Sequence, residues 1–421
     1  MSKYDSAGLA MIPSGYKASK VYSLIPNSSD GDFDFARSSS ATRVNKDGLI
    51  EVVQTNVPRL DYPLIDGVVQ DTPSLLLEPQ RTNVFLQSNQ FDTSWTKSNI
   101  TISSGEIGVA GGLGAWKITA NSGSGDKKLI QAPSISGSTM VSVYAKAGTR
   151  DYVYLRGVTS GTNKRVYFNL SNGTVGTNEG LSADIVNMGN GWYRCIAQID
   201  QQSGFEFYIG IAENDNEAFY TDDGTGTIYV QYAQAEAGSY ATSYIPTAGS
   251  TVTRAAETCN GAGTSADFND SEGVLFVESK WFAVSTTIYH NISNGTNNER
   301  VLIYSTDPEN IRAIITSGGS NIYAPNVTAN SRDFNKVAFK YSTSNRALWV
   351  NGFKLASESG TKTMPTGLNT CGFDAGASGG FDGKNNQFIT FKQALTDAEL
   401  EDLTSWDSFS EMAEAQQYQT V

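Results

Sequence analysis

Apolar and polar residues alternate along many short stretches of this chain, and this alternation constrains its fold more than any other feature. Between Val141 and Ala147, valine and alanine alternate with serine, tyrosine and lysine. The stretch 166–170 repeats the pattern and runs into Asn172-Gly173, a pair that strongly favours a two-residue hairpin turn. Because a period of two places successive side chains on opposite faces, each stretch predicts a half-buried strand. Similar strand signals recur at 207–211, 228–232, 274–277, 301–304, 337–341 and 346–350, the last followed by Asn351-Gly352.

The composition also favours an all-β protein. Hydrophobic residues make up 39% and charged residues 17% of the 421 residues, which suits short strands and tight turns and argues against disorder. The length is enough for two or three domains of about 150 residues each. The net charge of −13 disfavours nucleic-acid binding, since an acidic surface repels phosphates. The chain contains no apolar run of the roughly 20 residues that a membrane span needs, and its first residues lack a secretory pattern, so we expect cytoplasmic synthesis.

Residues 1–89 are turn-rich and extended. Proline, which fits neither helix interiors nor central strands, occurs at positions 13, 26, 58, 63, 73 and 79. The stretch 43–53 predicts a hairpin closed by Asp47-Gly48. Apolar pieces at 68–69 and 75–77 have too little sequence around them to bury both faces of a sheet. We therefore expect this segment to pack on its neighbours, on sister chains or on a partner protein, and its deletion to leave a folded remainder.

A capping box predicts one short helix near the end of the chain. Thr396 and Glu399 have the spacing of reciprocal N-terminal capping, and Leu395 and Leu400 are placed for a hydrophobic staple. The helix should follow a last strand at 387–391. The polar tail 407–421 has room for a helical turn. The three cysteines, far apart and without metal-ligand spacing, predict buried free thiols at Cys195, Cys259 and Cys371.

Two N-terminal stretches resemble the opening of many structural proteins of tailed bacteriophages. They are Phe-Ala-Arg-Ser-Ser-Ser-Ala-Thr-Arg-Val-Asn at 35–45, continued at 47–51, and Pro-Ser-Leu-Leu-Leu-Glu-Pro-Gln-Arg-Thr-Asn at 73–83. Proteins of this class are tail-fibre, head-fibre or other appendage components. The resemblance implies a structural role in a virion and does not distinguish a head appendage from a tail appendage.

Two later regions resemble sandwich modules. Residues 90–253 are similar to a carbohydrate-binding-module-like sandwich of the same phage proteins, and residues 254–406 to laminin-G or concanavalin-A-like domains. The resemblance implies two jelly-roll-type β-sandwiches in tandem after the extended N-terminal segment, and the alternating strands agree with it. The motifs of the first module lie at 142–148, 191–194, 234–236, 243–247 and 252–257, and those of the second at 348–352, 387–391 and 394–400.

Catalysis has little support in this sequence. His290 is the only histidine, and no Gly-x-Ser-x-Gly context provides a serine to pair with it, so we expect an ordinary strand or loop residue. Paired carboxylates could still hydrolyse a glycan, as in a tailspike-type hydrolase. The pairs to consider are Asp222 with Asp223, Asp215 with Glu217, and Asp374 with Asp382. We expect these acids to be solvated or turn-forming and the protein not to be an enzyme.

The loop Tyr220–Gly226 is the ligand-binding candidate. Its oxygen-rich Asp222-Asp223 pair makes a weak calcium site, although it lacks the full EF-hand pattern, and Asp-Gly turn chemistry explains the same residues. Sugar binding generally needs an exposed aromatic platform, which Tyr220 or Trp281 could supply. Trp95 and Trp116 are further possibilities, whereas Trp192 and Trp349 lie within the module motifs and are expected in the core.

These observations predict a phage appendage protein, a head or tail fibre, that displays sandwiches contacting host-surface glycans. The expected partners are other virion proteins, bound through the N-terminal segment, and host glycans, with neither nucleic acid nor membrane insertion. The expected location is the virion, assembled in the host cytoplasm. A homo-oligomer, with a trimer favoured, follows from the resemblance and from the apolar N-terminal pieces. A tailspike-type hydrolase and a passive capsid decoration protein without a ligand remain the alternatives.

Overall fold

The fold is all-β, as the sequence predicted. The computed structural model describes residue 4 and residues 6–204, 206–282 and 288–416. Its sheets are antiparallel throughout the described pairs, and its two α-helices, α1 Asp397–Thr404 and α2 Phe409–Ala415, both follow the last strand. Neither helix has the length and apolarity of a membrane span within this described part.

The strands are short and closely spaced along the chain. Before the middle module they are β1 Ala7–Met11, β2 Tyr16–Lys17, β3 Lys20–Val21, β4 Phe33–Ala36, β5 Ala41–Val44, β6 Ile50–Val53, β7 Arg59–Asp61, β8 Leu64–Ile65, β9 Val68–Val69, β10 Ser74–Leu77 and β11 Arg81–Asn83. Next come β12 Thr96–Ser98, β13 Ile100–Glu106, β14 Ala115–Ala120, β15 Gly123–Gln131, β16 Gly137–Ala147, β17 Tyr152–Thr159, β18 Thr162–Asn169, β19 Thr174–Asn178, β20 Ser182–Asn187, β21 Trp192–Gln201, β22 Phe207–Ala212, β23 Phe219–Asp222, β24 Thr227–Ala237 and β25 Val252–Arg254. The last are β26 Thr258–Ala262, β27 Glu272–Trp281, β28 Ile288–Ser293, β29 Arg300–Asp307, β30 Asn310–Ser317, β31 Ser320–Tyr323, β32 Asn326–Thr328, β33 Asn335–Ser342, β34 Asn345–Val350, β35 Phe353–Ser359, β36 Thr370–Gly372 and β37 Gly383–Phe391.

The middle sandwich consists of two sheets packed face to face. One has the order β12-β15-β22-β17-β18-β19, with β23 also paired to β15, and the other has the order β13-β14-β24-β16-β21-β20. The alternating residues of the sequence form the core between them, including Val141, Val143, Phe168 and Ile209, all at most 1% exposed. The predicted Asn172-Gly173 hairpin joins β18 to β19.

The C-terminal sandwich contains most strands of the N-terminal segment. One sheet runs β35-β34-β33-β27-β37-β10-β7, with β1 also paired to β37, and the other runs β2-β3-β4-β26-β36-β28-β29-β30-β31. Strands from residues 7–77 therefore complete both sheets, which differs from the expectation of a separate segment at 1–89. The apolar run at 75–77 is at most 3% exposed in this sandwich. Its burial within the chain removes much of the physical motive for self-association.

The middle sandwich is inserted into the C-terminal sandwich. The chain leaves β10, passes through β11 and returns through β25, which pairs antiparallel with β11 from Arg81↔Arg254 to Asn83↔Val252. It then enters β26 of the C-terminal sandwich. Because the two connecting strands lie side by side, an insertion here leaves the order of strands in the receiving sandwich intact.

A buried network of ion pairs lies beside these connecting strands. Arg37 Nη1 lies 2.6 Å from Glu257 Oε1, and Arg59 binds Glu257 through a second contact. Arg59 Nη1 and Arg254 Nη1 lie 2.7 and 2.8 Å from Glu78 Oε2. These five side chains are at most 3% exposed and are called the junction network. Arg37, Glu78, Arg254 and Glu257 come from the sequence motifs at 35–45, 73–83 and 252–257, so these motifs meet in one structural unit.

The C-terminal helix begins as predicted. Thr396 and Glu399 form a capping box with both reciprocal hydrogen bonds, and Leu395 and Leu400 join one apolar cluster. Helix α2 occupies part of the polar tail and contacts β33, where Lys336 Nζ lies 3.2 Å from Glu411 Oε1. Residues 417–421 of the predicted tail lie outside the described residues.

Candidate functional site

The predicted aromatic platforms are buried. Trp281 is 0% exposed and packs against His290 and Phe381 in the core of the C-terminal sandwich. Trp95 and Trp116 are 3% and 9% exposed, and each indole donates a hydrogen bond to a backbone carbonyl in the middle sandwich. None of these rings offers a face to a sugar, which corrects the prediction. Trp192 and Trp349 are buried, as expected.

The loop after β23 uses its carboxylates for turn geometry. Asp222 lies 2.7 Å from Arg150 Nη2 and accepts hydrogen bonds from the backbone amides of residues 224–226. Burial alone would raise the pKa of Asp222, but Arg150 and these amides hold it below its ordinary value. Asp223 accepts from the amide and hydroxyl of Thr225. Both acids therefore serve as turn-forming residues.

The oxygen-rich pocket beside this loop already contains a cation from the chain. Lys127 Nζ donates to the carbonyls of Gly123, Gly125 and Tyr220 at 3.0 to 3.1 Å, and it lies 4.4 Å from the centroid of the Tyr220 ring. Calcium requires six to eight oxygen ligands. Across the described ranges no group of three or more acidic, histidine or cysteine side chains could hold a metal. The Asp222-Asp223 pair does not fit a calcium ion.

Tyr220 is only 4% exposed. Its side chain lies on the inner side of β23 with Lys127, so it is not a sugar platform, and the prediction for this residue is corrected. Three of the four remaining carboxylate candidates have hydrogen-bond partners, and among them Glu217 accepts from Asn214 Nδ2. Burial raises the pKa of the fourth, Asp382, to about 6. Asp215 accepts from Thr177, and Asp374 accepts from Asn291 and the Gly376 amide.

His290 is sealed in the core of the C-terminal sandwich. Its Nε2 lies 3.0 Å from Ser279 Oγ, and Asn385 Nδ2 donates a hydrogen bond to the same hydroxyl oxygen. All three residues are 0% exposed, so a substrate in solution does not reach them. Burial lowers the pKa of His290 from 6.5 to about 3.

The low pKa of His290 predicts an acid-dependent loss of stability. Because the unfolded chain binds this proton more tightly, the contribution is fully present above pH 6.5 and falls by about 1.4 kcal/mol per pH unit toward pH 3. Denaturant unfolding of the C-terminal sandwich between pH 7 and pH 4 should show this slope. His290→Asn should be less stable at pH 7 yet show a correspondingly smaller slope. Equal slopes in the two proteins would contradict this assignment.

One sheet of the middle sandwich, with the order β12-β15-β22-β17-β18-β19, carries a cluster of aromatic and charged side chains on its outer face. Because Val153, Leu155, Val166, Phe168 and Ile209 point into the core, the residues that alternate with them lie on the opposite face. We call this surface the aromatic face; its members are Asp126, Lys128, Tyr152, Tyr154, Arg156, Arg165, Tyr167, Tyr208 and Phe219.

The charged groups of the aromatic face hold one another in place. Asp126 Oδ2 lies 3.1 Å from Lys128 Nζ and 3.3 Å from Arg165 Nη2. Lys128 Nζ and Arg156 Cζ lie 4.2 and 4.0 Å from the centroid of the Tyr208 ring. Such mutual contacts fix donors and acceptors in defined directions, which is what a polar ligand needs for recognition.

Tyr154 forms the buried floor of this face. Its ring lies across Gly210, where a Cβ atom would be 2.0 Å from Tyr154 Cζ, so this strand position requires glycine. Burial raises the pKa of Tyr154 well above its ordinary value. Its hydroxyl has no hydrogen-bond partner among the described residues.

Phe219 is the exposed aromatic side chain at the edge of the face. It is 69% exposed and stands directly opposite Asp126 in the β15–β23 register, so the two side chains share one side of the sheet. A large apolar ring in water beside a carboxylate and a guanidinium is an arrangement suited to a sugar. The alternation of Tyr152, Tyr154 and Arg156 with Val153 and Leu155 is a sequence signal for this face.

No family model matches the chain, and no curated protein matches it. Among solved structures, the chain is similar to the CBM40 module of Ruminococcus gnavus IT-sialidase bound to alpha2,3 sialyllactose, at 17% identity and a TM-score of 0.28 over 32% of this chain and 84% of that chain. It is also similar to domains LG4-5 of the mouse laminin alpha1 chain, at 9% identity and a TM-score of 0.22 over 75% of this chain and 91% of that chain. A Trypanosoma rangeli sialidase in complex with the inhibitor DANA gives 10% identity and a TM-score of 0.27 over 92% of this chain and 82% of that chain. The function proposed below rests on residues of this chain.

Proposed function

We propose that this chain is a non-enzymatic structural component of a phage virion appendage, a head or tail fibre, and that its middle sandwich binds host-surface glycans through the aromatic face. The observation that carries the glycan part is the exposed Phe219 beside the fixed Asp126–Arg165 pair. The virion part is supported by the sequence resemblance.

The aromatic face has the two properties that a saccharide requires. A pyranose ring has an apolar face, which Phe219 can cover, and hydroxyl groups at its edge. Asp126 can accept hydrogen bonds from these hydroxyls, and Lys128 and Arg165 can donate to them. Such a shallow site gives weak affinity, which display of several copies would raise by avidity.

The virion role is supported by the position in this fold of the sequence motifs that resemble phage structural proteins. They supply four of the five side chains in the junction network, where the inserted middle sandwich meets the C-terminal sandwich. A rigid junction suits a protein that must hold a binding module away from a particle. Immunogold electron microscopy of intact virions tests this part, and absence of the chain from purified particles would contradict it.

Phe219→Ala is expected to weaken glycan binding at least ~10-fold, because truncation of an aromatic anchor removes its apolar contact with the sugar. A glycan array with full-length protein identifies a binding glycan, and calorimetry then gives the dissociation constant for each variant. The matched control is Phe353→Ala, since Phe353 is 70% exposed but lies on the C-terminal sandwich.

Two results would contradict the proposal. Equal losses in the Phe219 and Phe353 variants would show that the aromatic face is not the binding surface. Release of reducing sugars from host capsule or lipopolysaccharide would favour a hydrolase over a non-enzymatic binding protein.

A homo-oligomer, with a trimer favoured, remains part of the proposal on the resemblance alone. Light scattering on the full-length chain decides it.

A further inference from the structure

The C-terminal sandwich has a second outer face with an ordered set of side chains. In the β28–β29–β30 register, three rows of directly opposed residues cross this sheet. Because Val301 and Ile303 point into the core, these rows lie on the outer side of the sheet. Five of their side chains are partly exposed there, whereas Ser293, Asn291, Leu302 and Thr316 are covered and at most 2% exposed. The rows are Ser293, Arg300 and Thr316; Asn291, Leu302 and Ile314; and Tyr289, Tyr304 and Arg312.

Arg300 occupies one end of this face without a carboxylate partner among the described residues. Its Nη1 donates to Asn297 Oδ1 at 2.9 Å and to the Ala375 carbonyl at 2.5 Å, and its Nε donates to Thr316 Oγ1 at 3.4 Å. These neutral acceptors hold the guanidinium in one orientation. Its Nη2 makes no hydrogen bond to the described part of the chain.

The nearby carboxylates are already bound to other groups. Glu299 accepts hydrogen bonds from the amides of Gly318 and Thr366. Asp374 is bound to Asn291 and the Gly376 amide, and Asp307 forms an ion pair with Arg312. Arg300 therefore has no ion-pair partner among the described residues, in a chain whose net charge is −13.

Apolar and aromatic surface lies next to this charge. Tyr289 and Tyr304 have ring centroids 5.5 Å apart and are both partly exposed. Ile314, in the row between them and Arg300, is partly exposed as well. A ligand with one anionic substituent and one apolar face would match both parts of the surface.

We propose that this face is a second binding site, distinct from the aromatic face, for a saccharide with an anionic substituent. Arg300 binds the carboxylate or phosphate group through the N–H groups of Nη2, the guanidinium nitrogen that makes no hydrogen bond to the described part of the chain. The sugar ring lies toward Ile314 and Tyr304. The acidic surface elsewhere repels such a ligand, so the site owes its preference for anions to this one residue.

The test is calorimetric titration of the full-length protein with three probes: methyl glucuronide, glucose 6-phosphate and neutral methyl glucoside. At least one anionic probe should bind, and the neutral glucoside should bind about tenfold or more weakly. Binding of the glucuronide alone identifies a carboxylated ligand, and binding of the phosphate alone a phosphorylated one. Equal binding of all three probes, or no binding of any, overturns the proposal.

Variants of this face separate recognition from folding. Arg300→Gln should raise the dissociation constant of the anionic probe about tenfold or more, and Arg300→Lys, which keeps the charge but not the fixed orientation of the Nη2 donors, should raise it less. Arg312→Gln is the matched control, because Arg312 lies on the same face but is neutralised by Asp307. Equal losses in the Arg300 and Arg312 variants overturn the assignment.

Phe219→Ala distinguishes the two sites. It should leave anion binding unchanged, so this proposal can stand if glycan binding at the aromatic face fails. Loss of anion binding in Phe219→Ala would show that the anion binds on the middle sandwich and would overturn the second site.

Discussion

Deletion of residues 1–77 is expected to unfold the C-terminal sandwich. The deletion removes strands from both sheets and eight large apolar side chains from one core, namely Leu9, Met11, Val21, Phe33, Phe35, Leu60, Leu75 and Leu77. At about 1.5–3 kcal/mol for each buried side chain, the loss is roughly 12 kcal/mol or more. That exceeds what most domains can lose, since net stabilities are about 5–15 kcal/mol. Circular dichroism and limited proteolysis should show an unfolded or aggregated C-terminal region.

Excision of the middle sandwich is the matched control for that deletion. Asn83 and Val252 are directly paired at the end of β11 and β25, so a two-residue Asn-Gly turn can join them. The remaining chain should fold, with some loss of stability because Ser243 no longer binds Glu78. A folded, cooperative product after deletion of 1–77, or an unfolded product after excision of the insert, would contradict the insertion topology.

Glu257→Gln is expected to destabilise the protein by about 3–5 kcal/mol, because it leaves buried arginine charge without its counterion. Glu257 is fully buried, and its carboxylate accepts hydrogen bonds from Arg37, Arg59 and the backbone amide of Glu78. The substitution keeps the shape of the side chain, so the effect isolates the charge. Thermal unfolding of the full chain should show a clear fall in Tm.

The control for this substitution is Glu51→Gln. Glu51 pairs with Arg43 at 2.7 Å, but its side chain is 37% exposed, and exposed pairs of this kind contribute about 0–1 kcal/mol. Similar small shifts in both variants would show that the junction network does not stabilise the connection between the two sandwiches.

Burial patterns along single strands were predictable only where no bulge intervened. Ile228 and Val230 point into the middle core as the alternation predicted, but Tyr232 adopts a positive φ of 53° at a register shift between β16 and β24. The shift turns Ala233 and Ala235 inward and leaves Tyr232 on the other side, stacked on Tyr244 at 4.1 Å. A β-bulge inserts one extra residue into one strand of a pair. The two-residue alternation of apolar and polar side chains therefore cannot predict where a bulge lies.

The sequence alone determined the all-β character and the capped helix at 397–404. It also determined the hairpins at Asp47-Gly48, Asn172-Gly173 and Asn351-Gly352. Turns, helix caps and the alternation along strands all depend on residues within a few positions of one another. Only the tertiary structure decided which strands pair across long sequence distances, as Leu75 of β10 pairs with Asn385 of β37. That long-range pairing places β1–β4, β7 and β10 in the C-terminal sandwich, buries Trp281 and Tyr220, and brings Phe219 beside Asp126. The physical reason is that the sequence of an apolar strand does not specify which other strand will cover it. The free energy of burial depends on the apolar area removed from water and not on the separation of the two strands in sequence.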